Sequence, residues 1–223
     1  MQIPPQRRPR IVGAVAAASA FVVVAIAVAI VARPLHDDRT VIRFMRRRPS
    51  DWLIDLASGY STVAGPVTVI VVAFVGALAL AVRDRTIGRP IAVLGAAWGA
   101  VAVAEIAKRI VDRPRPPLGW QLDGPATTPA FPSTHVAGLT ALLLVAALVT
   151  TTGKNRIGGR SRIRMVLVAA AACAALGMGA ARVYLCMNWA SDAVGGLLLG
   201  VAAALCAAWS VGRMVHRAPE PTV

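Results

Sequence analysis

The chain has 223 residues, with 24 Lys and Arg against 10 Asp and Glu, a formal net charge of +14. Apolar residues make up 57% and charged residues only 15%, against roughly 45–50% and about 25% in ordinary soluble domains; mean hydropathy is +0.66. These values exclude a water-soluble single domain and a disordered chain. The basic residues fall in short clusters between long apolar runs, which points to a membrane protein and not to a nucleic-acid partner.

Six stretches reach the roughly 20 mainly apolar residues that a bilayer-crossing helix needs: 11–33, 64–82, 90–111, 135–152, 165–183 and 193–212. They predict one all-α domain over 1–223, a bundle of six transmembrane helices. The first stretch is longer than the roughly 7–15 residues of a signal-peptide core and lacks a clear cleavage site, so it reads as an uncleaved signal anchor. The segment 39–60 mixes Val41, Ile42, Phe44, Met45, Trp52, Leu53, Ile54 and Leu56 with Arg and Asp. It predicts one or two interfacial helices, with Trp52 and Tyr60 in an aromatic belt. Gly95/Gly99 in the third span and Gly196/Gly200 in the sixth both fit the small-xxx-small pattern of close helix packing. Between the third and fourth spans, residues 112–134 hold six prolines, a stiff connector shaped to cover whatever lies beneath it. The basic loop 153–164 reads as a topology determinant.

Orientation follows from loop Lys and Arg. With the N-terminus in the cytoplasm, the inner segments hold 13 of the 24 cations, and the first outer loop holds six, among them Arg46, Arg47 and Arg48. Both termini are expected in the cytoplasm, in a bacterial-type cytoplasmic membrane. Cys173, Cys186 and Cys206 are too few and scattered for a disulfide framework or a zinc site. Trp120, Tyr184 and Trp189 fit interfacial anchoring.

Ionisable groups next to membrane spans are costly and usually functional or paired. Span three ends with Glu105, Lys108, Arg109, Asp112, Arg113 and Arg115. Span four begins at Ser133, Thr134 and His135, span five ends at Arg182, and span six begins near Asn188, Ser191 and Asp192. The topology brings all four groups to one side of the membrane. Lys108, Arg115 and Arg182 supply three cations, Ser133 a hydroxyl, and the start of span four its amides. Together they suit a phosphate group carrying about −1.5 to −2 charges. His135 is the one histidine in the group and suits proton transfer near neutral pH, whereas His36 and His216 fall in a loop and a tail. Glu105, one helical turn before Lys108, is placed to pair with it.

These residues resemble the type-2 phosphatidic acid phosphatase superfamily, which also includes vanadium haloperoxidases. Its first motif, Lys, six residues, Arg-Pro, matches Lys108 through Arg115-Pro116. Its second, Pro-Ser-Gly-His, matches Pro132-Ser133-Thr134-His135 except at Thr134. Its third, Ser-Arg, five residues, His, three residues, Asp, corresponds to Ala181-Arg182, then Asn188, then Asp192. The resemblance implies that Lys108, Arg115, Ser133, Thr134 and Arg182 bind phosphate, that His135 is the general acid and base, and that Asp192 orients residue 188. It implies a lipid phosphate or diphosphate substrate, no metal and no cofactor. The substrate would be of polyprenyl diphosphate, phosphatidic acid or phosphatidylglycerophosphate type, reached from the outer face.

The position of the family's nucleophilic histidine is occupied by Asn188. An amide nitrogen has its lone pair delocalised into the carbonyl, so Asn cannot replace His in covalent catalysis by the same route. It can still hydrogen-bond Asp192 and fill similar space. Three explanations stay open: a substitution introduced to trap a ligand, a natural member without covalent catalysis, or direct attack by water with His135 as base. Beside the phosphatase stand two other function classes. One is an inactive lipid-phosphate-binding member; the other is a transporter, which would place its charges near the midplane.

Overall fold

The computed structural model describes residues 8–31, 35–47, 49–150 and 159–215. The described residues form eight α-helices and a 3-10 turn, with no strand: α1 (Arg8–Val31), α2 (His36–Met45), α3 (Asp51–Val63), α4 (Pro66–Asp84), α5 (Gly88–Val111), the turn Leu118–Trp120, α6 (Thr134–Thr150), α7 (Gly159–Tyr184) and α8 (Ala190–Val215). The six predicted spans are α1, α4, α5, α6, α7 and α8, and the predicted interfacial segment is α2 and α3. Half of the basic loop 153–164, with Lys154 and Arg156, lies outside the described residues, as do His216 and Arg217.

Five of these helices, α1, α4, α5, α7 and α8, are long and apolar enough to cross a membrane, the layout of a multi-pass membrane protein. At 17 residues α6 is shorter, about 26 Å at 1.5 Å per residue. Its position explains why that suffices. It packs against α4, α5, α7 and α8, and most of its side chains are buried, so protein rather than lipid surrounds it. The lipid-type surface falls on the outer helices, where Val15, Val23, Val67, Val75 and Val166 are all more than half exposed.

At the α6–α8 seam the two helices approach closely. A Cβ at Gly196 would lie 2.7 Å from the Ser133 carbonyl oxygen, and one at Gly200 2.6 Å from Thr140 Cβ. Small residues are needed at both, as the spacing predicts. Gly95 and Gly99 differ: a Cβ at either meets nothing within 4 Å. They line an open groove with Ala202, Ala203 and Cys206 of α8, so their spacing does not mark a close helix contact inside this chain. Phe131, fully buried, fills the space left by Gly195 and stacks on Phe21 at 5.9 Å between ring centroids.

Candidate active site

Three chain reversals deliver the site. The first is the end of α5, where Asp112 adopts a left-handed conformation (φ 45°) and its N–H bonds the Lys108 carbonyl. Asp tolerates that region better than most residues, and the turn sends Arg113 into the bundle. The second is the entry to α6, where the Ser133 N–H donates to the Asp192 carbonyl at 3.0 Å. The amides of Thr134, His135 and Val136 then have no intrahelical acceptor, and they open onto the same end. The third is the end of α7. Cys186 is left-handed (φ 54°); its N–H bonds Val183 O at 3.0 Å and the Met187 N–H bonds Arg182 O at 2.9 Å. This is a Schellman ending with cysteine where glycine is usual, and it sets Asn188 beside Arg182.

The sequence-predicted residues come together. The Arg182 Nη1 donates to Ser61 Oγ at 2.8 Å and lies 3.4 Å from Asp123 Oδ2, and its Nε donates to Asn188 Oδ1 at 3.3 Å. The Ser133 hydroxyl donates to the same Asn188 oxygen at 3.4 Å. Lys108 Nζ is 2.8 Å from Glu105 Oε1, the pair expected from their spacing, and the Thr134 hydroxyl donates to that oxygen at 2.6 Å. Thr134 thus uses a hydroxyl, which glycine would lack, to hold Glu105. Arg115 donates to the Thr128 carbonyl at 2.7 Å, to Thr128 Oγ1 at 3.1 Å and to the Met187 carbonyl. Burial holds the Arg115 guanidinium below its usual range, opposed by Asp192 and Glu105, yet arginine remains charged at neutral pH. His135 is half-buried at the start of α6, with its Nε2 close to Gly65 at the head of α4. The charges of Arg182, Lys108 and Arg115 all bear on its ring.

Two expectations are corrected. Asn188 does not hydrogen-bond Asp192. Its Nδ2 donates to the Ala130 carbonyl at 2.9 Å, while Asp192 accepts from Arg113 Nη1 at 2.5 Å and from the Trp189 N–H at 2.7 Å. The physical reason is Arg113, a charged donor that outcompetes a neutral amide. Trp189 is no interfacial anchor: it is 3% exposed, and its indole donates to the Pro114 carbonyl at 2.9 Å.

Sequence reasoning missed a second cluster. The Arg113 Nη2 donates to Asp38 Oδ2 at 2.6 Å, and its Nη1 reaches both Asp192 and Ser191 Oγ, the latter at 2.7 Å. Ser191 closes the ring by donating from its N–H and hydroxyl to Asp38, at 2.9 and 2.7 Å. Asp38 lies in the first loop, which carries no motif, one helical turn before the buried Ile42 on the same face of α2. Ser61, from α3, joins the site the same way, and Asp123 comes from the proline-rich connector, where it also accepts from Ser58. That connector covers the site and is pinned to it, as Ala130 N to Arg113 O at 2.8 Å and Leu122 N to Leu185 O at 3.0 Å show. His36, the first residue of α2, is exposed. Among the described residues, no group of three or more His, Cys, Asp or Glu side chains is placed to hold a metal ion.

The matches to known proteins agree with this geometry. A family model of the PAP2 superfamily matches residues 89–215, a range that contains all eight predicted site residues but not Asp38 or Ser61. Among solved structures, the fold is similar to that of a transmembrane PAP2-type phosphatidylglycerolphosphate phosphatase from Bacillus subtilis. The TM-score is 0.71 at 18% identity, over 94% of this chain and 98% of that one. No curated protein matches the chain.

Proposed function

This chain belongs to the PAP2 superfamily, and from that premise we propose that it is a membrane lipid phosphatase whose pocket binds a lipid phosphate or diphosphate. The carrying observation is convergence: Lys108, Arg115, Ser133, His135 and Arg182 come from three separated segments and meet at one end of the bundle. Phosphoryl oxygens would accept from the three cations, the Ser133 hydroxyl and the first amides of α6, donors suited to charge that grows during transfer. His135 would exchange the proton with the leaving oxygen or with water. A site at a bundle end lets a headgroup enter while the acyl or prenyl tails stay in the bilayer. The outer face and cytoplasmic termini follow from the loop charges. The substrate would be of phosphatidylglycerophosphate, phosphatidic acid or polyprenyl diphosphate type.

Asn188 shapes the mechanism. Its Oδ1 accepts from Ser133 and Arg182, and its Nδ2 is bound to Ala130. All its polar atoms are engaged, and none offers a nucleophilic lone pair. Water therefore serves as nucleophile, and hydrolysis is slow. The same engagement favours a second reading, a member that binds lipid phosphate without turning it over.

The test is phosphate release by the purified protein in detergent from phosphatidylglycerophosphate, phosphatidic acid and a polyprenyl diphosphate, run beside Asn188→His. The expected outcome is slow or absent release by the unaltered chain and a gain of about a hundredfold or more with histidine. Release by neither protein, with no saturable orthovanadate binding, would sink both readings. Binding without release by either protein would leave the non-catalytic member.

A further inference from the structure

The outward face of α2 carries a feature that the site does not use. Arg39 and Arg43 lie four residues apart on it, and Arg46 and Arg47 follow at its end; all four are exposed. At about 100° per residue they fall on one stripe of the helix. None of them belongs to an ion pair among the described residues. Arg46 also lies over the Trp120 ring, 4.5 Å from its centroid. The exposed acidic neighbours are Asp37, on another side of the helix, and Asp51 and Asp55 on α3.

The inward face of α2 fixes where this stripe sits. Asp38 and Ile42 are buried, and Asp38 is tied to Arg113 and Ser191, so α2 is held at the site end of the bundle. On α2 itself Phe44 is 70% exposed, and Leu118, in the turn whose Trp120 lies under Arg46, is 56% exposed; Trp52 and Leu56, on the next helix in the chain, are 68% and 60% exposed. Large apolar side chains beside unneutralised arginines match the depth at which acyl chains give way to headgroups. The proposed orientation also sets these arginines against the charge bias of membrane insertion, a cost that calls for an offsetting interaction.

We propose that the arginine stripe of α2 is a docking surface for anionic phospholipid headgroups of the surrounding leaflet, gathering lipid of that charge beside the pocket. Guanidinium forks match phosphate oxygens, and cations at a membrane surface gain from anionic lipid. The inference rests on the phosphatase reading for its purpose, delivery of lipid phosphate, but its test needs no turnover.

The experiment reconstitutes the full chain in phosphatidylcholine bilayers with trace spin-labelled phosphatidylglycerol or spin-labelled phosphatidylcholine, and measures the motionally restricted fraction of each. The unaltered chain is expected to restrict phosphatidylglycerol several-fold more than phosphatidylcholine. The triple variant Arg39→Gln, Arg43→Gln, Arg47→Gln is expected to cut that preference by about threefold or more, and high salt to do the same. Arg83→Gln with Arg85→Gln, at the opposite end of α4 from His135, serves as the control and should keep the preference. No preference in the unaltered chain, or an equal loss in both variants, overturns the proposal. Orthovanadate binding on the same samples separates the two ideas. Its absence throughout would defeat the pocket reading, while the lipid preference would still decide the stripe.

Discussion

Arg113 and Arg182 are buried alike, with side chains 3% and 5% exposed, but they are held differently. Arg113 spans two carboxylates at 2.5 and 2.6 Å. Arg182 has neutral partners in Ser61 and Asn188, and its one carboxylate, Asp123, stands off at 3.4 Å. A cation saturated by short carboxylate contacts is structural, because a ligand anion would have to displace charge from a dry site. A cation on neutral, longer contacts has charge to spare for a phosphate. The comparison divides the charged residues at this end of the bundle into a brace and a pocket.

Removing the brace should have the largest effect. Arg113→Ala leaves Asp38 and Asp192 buried without a cation, and breaking such a pair costs about 3–5 kcal/mol. The expected result is a large fall in thermal unfolding temperature in detergent, with helix α2 the first segment to become susceptible to protease. Lysine should rescue little, since one ammonium cannot reproduce a fork across two carboxylates. An unfolding temperature near that of the unaltered protein would break the distinction, because Arg113 would then carry no structural weight.

Arg182→Ala tests the other side. Charged hydrogen bonds to a phosphoryl group contribute about 1.5–3 kcal/mol, so orthovanadate affinity should fall by about tenfold to a hundredfold. Of the groups left behind, Ser61 and Asn188 are neutral and Asp123 is part-exposed and still bound by Ser58, so unfolding should shift less than for Arg113→Ala. If the two variants traded effects, with Arg113→Ala losing anion affinity and Arg182→Ala losing the fold, the assignment of brace and pocket would be reversed.

Much of the pocket was legible because its parts are local. Lys108 to Arg115, Pro132 to His135 and Arg182 to Asp192 are short spacings, and the Glu105–Lys108 pair follows from one helical turn. The brace was not legible. Asp38 and Arg113 are 75 positions apart, and no periodicity links them. Arg109 and Arg113 look alike in sequence near the same helix end; only the left-handed turn at Asp112 sends one inward and leaves the other exposed. The glycine pairs make the same point. Gly196/Gly200 and Gly95/Gly99 share a spacing, but only the first pair has a neighbouring helix pressed against it. Spacing states that close approach is permitted, and the rest of the bundle decides whether it occurs.

The smallest predicted effect sharpens the comparison most, because it concerns the carboxylate that reaches Arg182 itself. Asp123 reaches Arg182 at 3.4 Å from the proline-rich connector, and its other oxygen accepts from Ser58. An incoming phosphate competes with it for the guanidinium. Asp123→Asn removes the negative charge and keeps an oxygen to accept from Ser58. Partly exposed pairs contribute about 0.2–1 kcal/mol, so orthovanadate should bind about two- to fivefold more tightly, with the gain shrinking as salt screens the lost repulsion. Titration calorimetry at two ionic strengths reads both changes. Weaker binding in the variant would mean that Asp123 presents Arg182 to the ligand, and that a third carboxylate belongs with the brace.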